Sequence, residues 1–362
     1  MNIVHFIYRH KYLILCLLLL LPGGMKAAEN HEETKTSGGV DVKEIVFGHT
    51  SDAYEWHITT IGDRHISIPL PVILYSERVG WTCFSSAKLE HGHASYNGFY
   101  IAKDAPYDGK ICEDINGEKV RPVDISITKN VVQLWIVVAL MLVIFLYCAR
   151  WYKHRKPGDE SPRGFVGFIE MFVMMINDDV IKNSIGEKHY KFYSPYLLTA
   201  FFFIFISNVL GLVPIFPGGA NLTGNITITF FLSICTFLAI NLFGNKEYWK
   251  EIFWPNVPLW LKIPIPMMPV IEFFGILTKP FALMVRLFAN MLAGHAIVLS
   301  LTCVIFIACS FGAVVGASLS FVSVLMTIFM DCLELLVAFI QAYVFTMLSA
   351  VFIGLAHQEE HS

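Results

Sequence analysis

Phe281-Ala282-Leu283-Met284-Val285-Arg286-Leu287-Phe288-Ala289-Asn290-Met291-Leu292-Ala293-Gly294-His295 is an apolar helical run with a cation in its middle. If the run lies in a bilayer, the charge costs roughly 2.5 to 3.5 kcal/mol on insertion scales and about 10 or more on an isolated helix in simulations. Something must offset that cost. Arg286 is therefore a functional-site candidate from the outset.

The surrounding composition places the run in a membrane. The chain has 362 residues, 55% hydrophobic and 15% charged, with a mean hydropathy of +0.58, values that belong to integral membrane proteins rather than soluble domains. A net charge of -3 gives no support to nucleic-acid binding.

Read outward from Arg286, the chain divides into three parts. Residues 1–28 carry a basic start (Arg9, His10, Lys11), an apolar run Tyr12 to Leu21 and small residues at Ala27-Ala28, the pattern of a secretory signal peptide. Residues 29–128 hold most of the polar turn residues. Alternating stretches there, Trp56-His57-Ile58-Thr59-Thr60-Ile61 and Arg64-His65-Ile66-Ser67-Ile68 around Gly62-Asp63, predict hairpins in a small β-containing extracytoplasmic domain. Its histidines (His49, His57, His65, His91, His93) lack compact ligand spacing, so no metal and no cofactor is expected. Cys83 and Cys112 are the cysteine pair of this segment, and export would place them where a disulfide can form.

Residues 129–362 read as an all-α polytopic membrane domain. Val131 to Ala149 has about the length of a bilayer span, and Arg150, Lys153, Arg155, Lys156 and Arg163 follow it. The positive-inside rule puts that loop in the cytoplasm and the β-containing domain outside. Gly164 to Ile181 carries Glu170, Asp178 and Asp179 and suits an interfacial or partner-facing amphipathic helix. Pro195 to Val213 crosses outward, Pro214 to Gly224 is an uncharged external loop, and Ile226 to Phe243 returns towards Lys246, Lys250 and Lys262. Pro264, Pro266 and Pro269 break the chain before Val270 to Ile307, and Phe321 to Ala356 completes about five crossings, with the C-terminus inside. The last two runs, about 35 residues each, make helices of roughly 50 Å against a core of about 30 Å. They should tilt and pair as a hairpin, forming a broad wall for another membrane body.

Both long helices hold polar residues that a lipid-facing helix avoids: Glu272, Lys279, Arg286, Asn290 and His295 in the first, Asp331, Glu334 and Gln341 in the second. At about 100° per residue, Lys279 and Asn290 fall within about 40° of Arg286, whereas His295 is rotated by about 180°. The arginine and the histidine thus serve different surfaces. In an antiparallel hairpin, one register sets His295 opposite Glu334, Gln341 opposite the Arg286/Asn290 level, and Glu272 level with His357. An imidazole and a carboxylate at one depth can pass a proton near neutral pH. A guanidinium keeps its charge, so it can block protons and attract a carboxylate on a moving partner. A relay on one side and a fixed cation at mid-depth is the layout of a pathway made of two half-channels.

At these residues the chain resembles subunit a of F-type ATP synthases, the membrane stator that faces the rotating c-ring. Lys279-Pro280, Arg286-Leu287-Phe288-Ala289-Asn290, Ala293-Gly294-His295, Glu334 and Gln341 carry the resemblance, with Asn208, Leu212-Val213-Pro214 and Asn225-Ile226-Thr227 similar to the family's second and third spans. It extends from about Ile45 to the C-terminus. Many members have glutamate where His295 stands and histidine where Glu334 stands; here the two are exchanged and the pair is preserved. Met284 stands near the arginine where smaller residues are common, and the long N-terminal domain exceeds that of familiar members.

The resemblance implies rotary proton translocation with no independent active site. The implied site is Arg286, Asn290 and Gln341 against the ring, a relay of His295, Glu334 and Glu272, and lesser roles for Lys279, Asp331 and His357. Implied partners are the c-ring, the peripheral-stalk b subunits, the rest of the complex and membrane lipid, in a bacterial inner membrane. The sequence has no nucleotide-binding P-loop, consistent with nucleotide chemistry in other subunits. Two other readings stay open on the residues alone: an intramembrane hydrolase, which lacks a Gly-x-Ser-x-Gly elbow, and an independent channel or transporter, for which no inverted repeat is evident.

Overall fold

A computed structural model describes residues 52–357, apart from 62–63, 93, 103–106, 108, 116–117, 155–161, 214–217, 254–266 and 309–312. The signal-like segment 1–28, His49 and His93 lie outside the described residues, as do the side chains of His57, His65 and His91.

The N-terminal part is a set of short antiparallel strands. β1 (Glu55–Ile61) pairs with β2 (Arg64–Pro69) in the hairpin register expected from their alternation, with an irregularity between His57 and Thr59. β3 (Pro71–Ser76) alternates strictly, so Val72, Leu74 and Ser76 point inward, as the two-residue period of a half-buried strand requires. It lies between β4 (Gly80–Ser85) and β8 (Val123–Asp124), while β5 (Phe99–Ile101), β6 (Ile111–Ile115) and β7 (Glu118–Val120) form a second three-stranded sheet. Tyr54, Val72, Leu74, Phe84, Leu89, Phe99 and Ile111 make one apolar core.

Cys83 and Cys112 are free thiols, which corrects the disulfide expectation. The physical reason is side-chain direction: Cys83 lies on the exposed face of β4, whereas Cys112 is buried on β6. Burial pushes the Cys112 thiol pKa above its ordinary value.

The strands run directly into the first long helix, α1 (Lys129–Lys153). The first N–H groups of a helix lack intrahelical partners. Here Lys129 N–H donates to the Ala53 carbonyl (3.0 Å) and Asn130 N–H to Asp52 Oδ1 (3.2 Å), so the start of the helix is bonded to the head of the β region.

α2 (Phe165–Met174) continues through a π-helical stretch, Met175–Lys182, and a last turn, Asn183–Ile185. Ile176, Val180 and Ile181 are buried, while Phe165, Phe168, Met171 and Met174 are exposed. The polar residues gather in the π stretch, where Asn177 accepts a hydrogen bond from Ser194 (2.6 Å). α3 (Tyr190–Leu212) starts five residues before Pro195, the residue from which the sequence reading began this span. Close to the helix start, the N–H missing from proline removes a single intrahelical bond. α4 (Ile226–Leu242) is capped by Asn225, whose Oδ1 accepts from Thr227 N–H (3.0 Å). A short helix α5 (Lys246–Phe253) precedes α6 (Met267–Ala308, 42 residues) and α7 (Ala313–Leu355, 43 residues).

Among the described residues α1, α3, α6 and α7 are long and apolar enough to cross a membrane. α4 is equally apolar but has 17 residues, about 25 Å of helix. The protein is a polytopic helical membrane protein with a small β-containing N-terminal region. At about 63 Å each, α6 and α7 exceed twice the thickness of a hydrocarbon core. They are even longer than the apolar runs suggested, because Met267-Met268-Pro269 already belongs to α6. Proline in a first turn removes no intrahelical bond.

In lipid, helices associate through close packing and hydrogen bonds rather than hydrophobic burial. α7 accordingly turns small residues, Ala338, Ala342 and Ala350, into the helix core with no exposure at all. Gly354 extends this strip: a Cβ there would come within 2.0 Å of the Ser184 carbonyl oxygen. Polar side chains tie the helices across the core. Ser323 Oγ donates to the Leu301 carbonyl (2.7 Å), joining α7 to α6, and Ser233 Oγ on α4 donates to the Pro280 carbonyl on α6.

Candidate functional site

α6 and α7 run antiparallel. Nδ1 of His295 lies 3.1 Å from Oε1 of Glu334, with the two side chains 15% and 5% exposed. One proton sits between them in either charge arrangement: on imidazole facing carboxylate, or on the acid facing neutral imidazole. Gly294 permits the approach. A Cβ at that position would stand 3.0 Å from Glu334 Oε1 and 3.2 Å from its Cδ, closer than nine in ten ordinary contacts.

The second carboxylate oxygen, Oε2 of Glu334, is buried with no hydrogen-bond partner. Glu334 also lines a cavity of about 190 Å³, together with Gly211, Leu212, Gly219, His295, Val298, Leu299 and Asp331. Asp331 is exposed and lines the cavity with the buried pair.

Arg286 lies nine residues away along α6, about 13 Å nearer the other end. It is exposed, on the same face as Asn290 and the small residues Ala282, Ala289 and Ala293. Among the described residues no carboxylate lies within ion-pair distance of it. The helical phase expected from the sequence is visible here: Arg286 faces outward from the bundle, while His295 faces α7.

The remaining predicted residues separate. Lys279 turns to α7, with its ammonium 5.5 Å from the centre of the Phe352 ring, a cation–π distance. Gln341 is buried and Asn290 exposed, and no hydrogen bond joins them among the described residues. At the far end His357 Nδ1 is 2.9 Å from the Ile353 carbonyl, and Nε2 is 3.1 Å from the Tyr193 hydroxyl. A carbonyl only accepts, so Nδ1 carries a proton there. Asn245 closes this end by donating to the His357 carbonyl (3.4 Å). Glu272 is half-buried, and its charge acts on Tyr248 of α5; burial chiefly, and Glu272 in addition, raise the Tyr248 phenol pKa. Glu272 and His357 are not hydrogen-bonded to each other among the described residues.

The uncharged loop after α3 does more than its sequence suggested. Residues 218 and 220–223 are buried. Asn221 Nδ2 donates to the Met291 carbonyl on α6 (3.2 Å), Asn208 Nδ2 to the Ala338 carbonyl on α7 (3.4 Å), and Thr223 Oγ1 to Asn208 Oδ1 (2.6 Å). This chain of bonds braces both helices of the hairpin close to His295. Asn221 and Thr223 escaped the sequence reading. The available signal was two hydrogen-bonding side chains in a stretch without charge.

A polytopic helical protein with a buried acid–imidazole pair beside a cavity, and an unmatched arginine on its outer wall, has the makings of an ion-translocating membrane subunit. Comparison with known proteins gives the family. The model described as ATP synthase A chain matches residues 131–354, and a domain of unknown function (DUF8433) matches residues 45–130. The ATP synthase subunit a of Chlorobium phaeobacteroides is 47% identical over 246 residues, covering 66% of this chain and 68% of that protein. That of Pelodictyon phaeoclathratiforme is 46% identical over 244 residues, with 66% and 67% covered. That of Anaeromyxobacter dehalogenans is 40% identical over 255 residues, with 67% and 62% covered. The chain belongs to the ATP synthase A chain family, subunit a of the F-type enzyme. Residues 45–130, which the sequence reading joined to that resemblance, match a separate family of their own.

Proposed function

We propose that this chain is the stator of the proton-translocating sector, offering two offset half-channels that load and unload a carboxylate on a rotating c-ring. Protons enter from the side of the β region, pass the His295–Glu334 pair and reach the ring. After rotation they leave by a second path near Glu272 and His357 at the opposite end of the hairpin. The b subunits hold the chain still, and nucleotide chemistry belongs to other subunits. Membership of the subunit a family supports the coarse assignment.

The observation that carries the detailed reading is the exposed, unmatched Arg286 on a wall of small residues. A buried-depth cation is costly unless a counter-charge meets it, and none is supplied within the described chain. A carboxylate on a partner helix, brought close by Ala282, Ala289 and Ala293, would meet that need and lose its proton to Arg286's field. The arginine itself stays charged and bars a direct proton path between the half-channels. Each charge crossing 100 mV releases about 2.3 kcal/mol, so several per turn drive one round of synthesis.

Replacing Arg286 with alanine tests this. ATP-driven proton pumping into inverted vesicles should be abolished while the variant still copurifies with the ring. Pumping at the ordinary rate by an assembled Arg286→Ala complex would overturn the proposal.

A further inference from the structure

Glu334 is buried, yet one of its oxygens has no partner. Glu334 also lines a cavity with His295 and Asp331, and a cavity with such polar groups on its wall is a place for water. The cavity of about 190 Å³ has room for water, one molecule of which needs only about 10 to 15 Å³ of such space. Among the described residues its titratable lining groups are three: His295 on α6, and Asp331 and Glu334 on α7. The walls from α3 and the following loop, Gly211, Leu212 and Gly219, carry none.

Asp331 is the exposed member of the three. It stands three residues from Glu334 on one helix, so their β-carbons are about 5 to 6 Å apart, a gap that water can bridge. No hydrogen bond or ion pair engages its carboxylate among the described residues. A carboxylate left free at the mouth of a cavity, at a membrane helix, has no structural task to explain it.

We propose that Asp331 is the outer proton acceptor of this site. It takes a proton from external hydronium, leaving water. It then gives that proton through the cavity water to the Glu334 carboxylate and returns to its anionic form. The proton already held between Glu334 Oε1 and His295 Nδ1 moves on from the pair, so one proton enters for each that leaves. This assignment rests on the proton-translocating role proposed above. Its physical advantage is capture: an anion at the mouth of a low-dielectric cleft raises the local concentration and on-rate of cations by roughly 10- to 1000-fold.

The test uses the whole complex in vesicles, energised by an imposed gradient, with the outer pH varied. Asp331→Asn should match the unaltered complex at acidic outer pH, where protons are plentiful. Its rate of ATP synthesis should fall about tenfold below the unaltered rate near an outer pH of about 8, where capture limits. Asp331→Glu should restore the profile. Copurification with the ring checks assembly, and Asp331→Ser is measured in the same way should the asparagine variant not assemble. A profile identical to the unaltered complex, an equal loss at every pH, or rates that follow sodium rather than pH would each overturn the inference. Arg286→Ala separates the two levels: ordinary pumping by that variant removes the underlying reading, whereas a dead Arg286→Ala beside an unaffected Asp331→Asn removes only the role of Asp331.

Discussion

Gly294 shows how one missing side chain sets a distance. Its hydrogen leaves room for Glu334, whose Oε1 would otherwise lie 3.0 Å from a Cβ. Gly294→Val should push the carboxylate away from His295. A misplacement of about 1 Å at a reacting group can cost roughly 100-fold, so proton pumping should drop between ten- and a hundredfold with assembly intact. Pumping assays on the copurified complex check this, and an unaffected rate would mean the pair tolerates separation. The cysteines give a second prediction at this scale. Thiolate is the reactive form; Cys83 is exposed, while Cys112 is buried with its thiol pKa raised. A maleimide should modify Cys83 in the folded protein and reach Cys112 only after unfolding, as read by peptide mass spectrometry. Recovery of a Cys83–Cys112 disulfide-linked peptide would contradict the free thiols.

At the scale of elements, the hairpin of α6 and α7 is legible in the sequence because both runs exceed a bilayer span and their polar residues match in antiparallel order. His295 and Glu334 follow from that register. Cysteines placed at 295 and 334 should crosslink readily under mild oxidation, and failure to do so would separate the helices at that depth. The bracing of the hairpin was not legible, because it depends on a loop folding back between distant helices. Asn208 and Asn221 each donate to a carbonyl of one long helix. Hydrogen bonds between membrane helices are worth about 0.6 kcal/mol on average and up to about 1.7. Asn221→Ala should therefore lower the thermal stability of the purified subunit by about 1 kcal/mol, and the double variant with Asn208→Ala should lose more. Unchanged unfolding curves would assign the bracing elsewhere.

At the scale of the whole molecule, two charge systems are kept apart. The buried pair belongs to the inside of the hairpin, and Arg286 belongs to its outer wall. Glu334→Gln should block passage of protons through the membrane sector freed of its catalytic part. Arg286→Ala in the same vesicles should instead leave a proton leak, since the task proposed for the arginine is to bar a shortcut. Passive proton uptake under an imposed potential distinguishes them, and equal behaviour of the two variants would merge the roles assigned here. The β region is bonded to the head of α1 through Ala53 and Asp52, so its position is coupled to the first span.

Composition and hydropathy by themselves determined that this is a polytopic membrane protein, because about 30 Å of hydrocarbon demands long apolar helices and tolerates few charges. Helical periodicity also separated the face of Arg286 from that of His295, since phase is a local property of one helix. What only the tertiary structure decided depends on residues far apart in the chain. The unpartnered oxygen of the buried Glu334, the cavity that Glu334 shares with Asp331, the inward-folded loop at Asn221 and the exposure of Cys83 against the burial of Cys112 all arise from packing between elements, which no local pattern encodes.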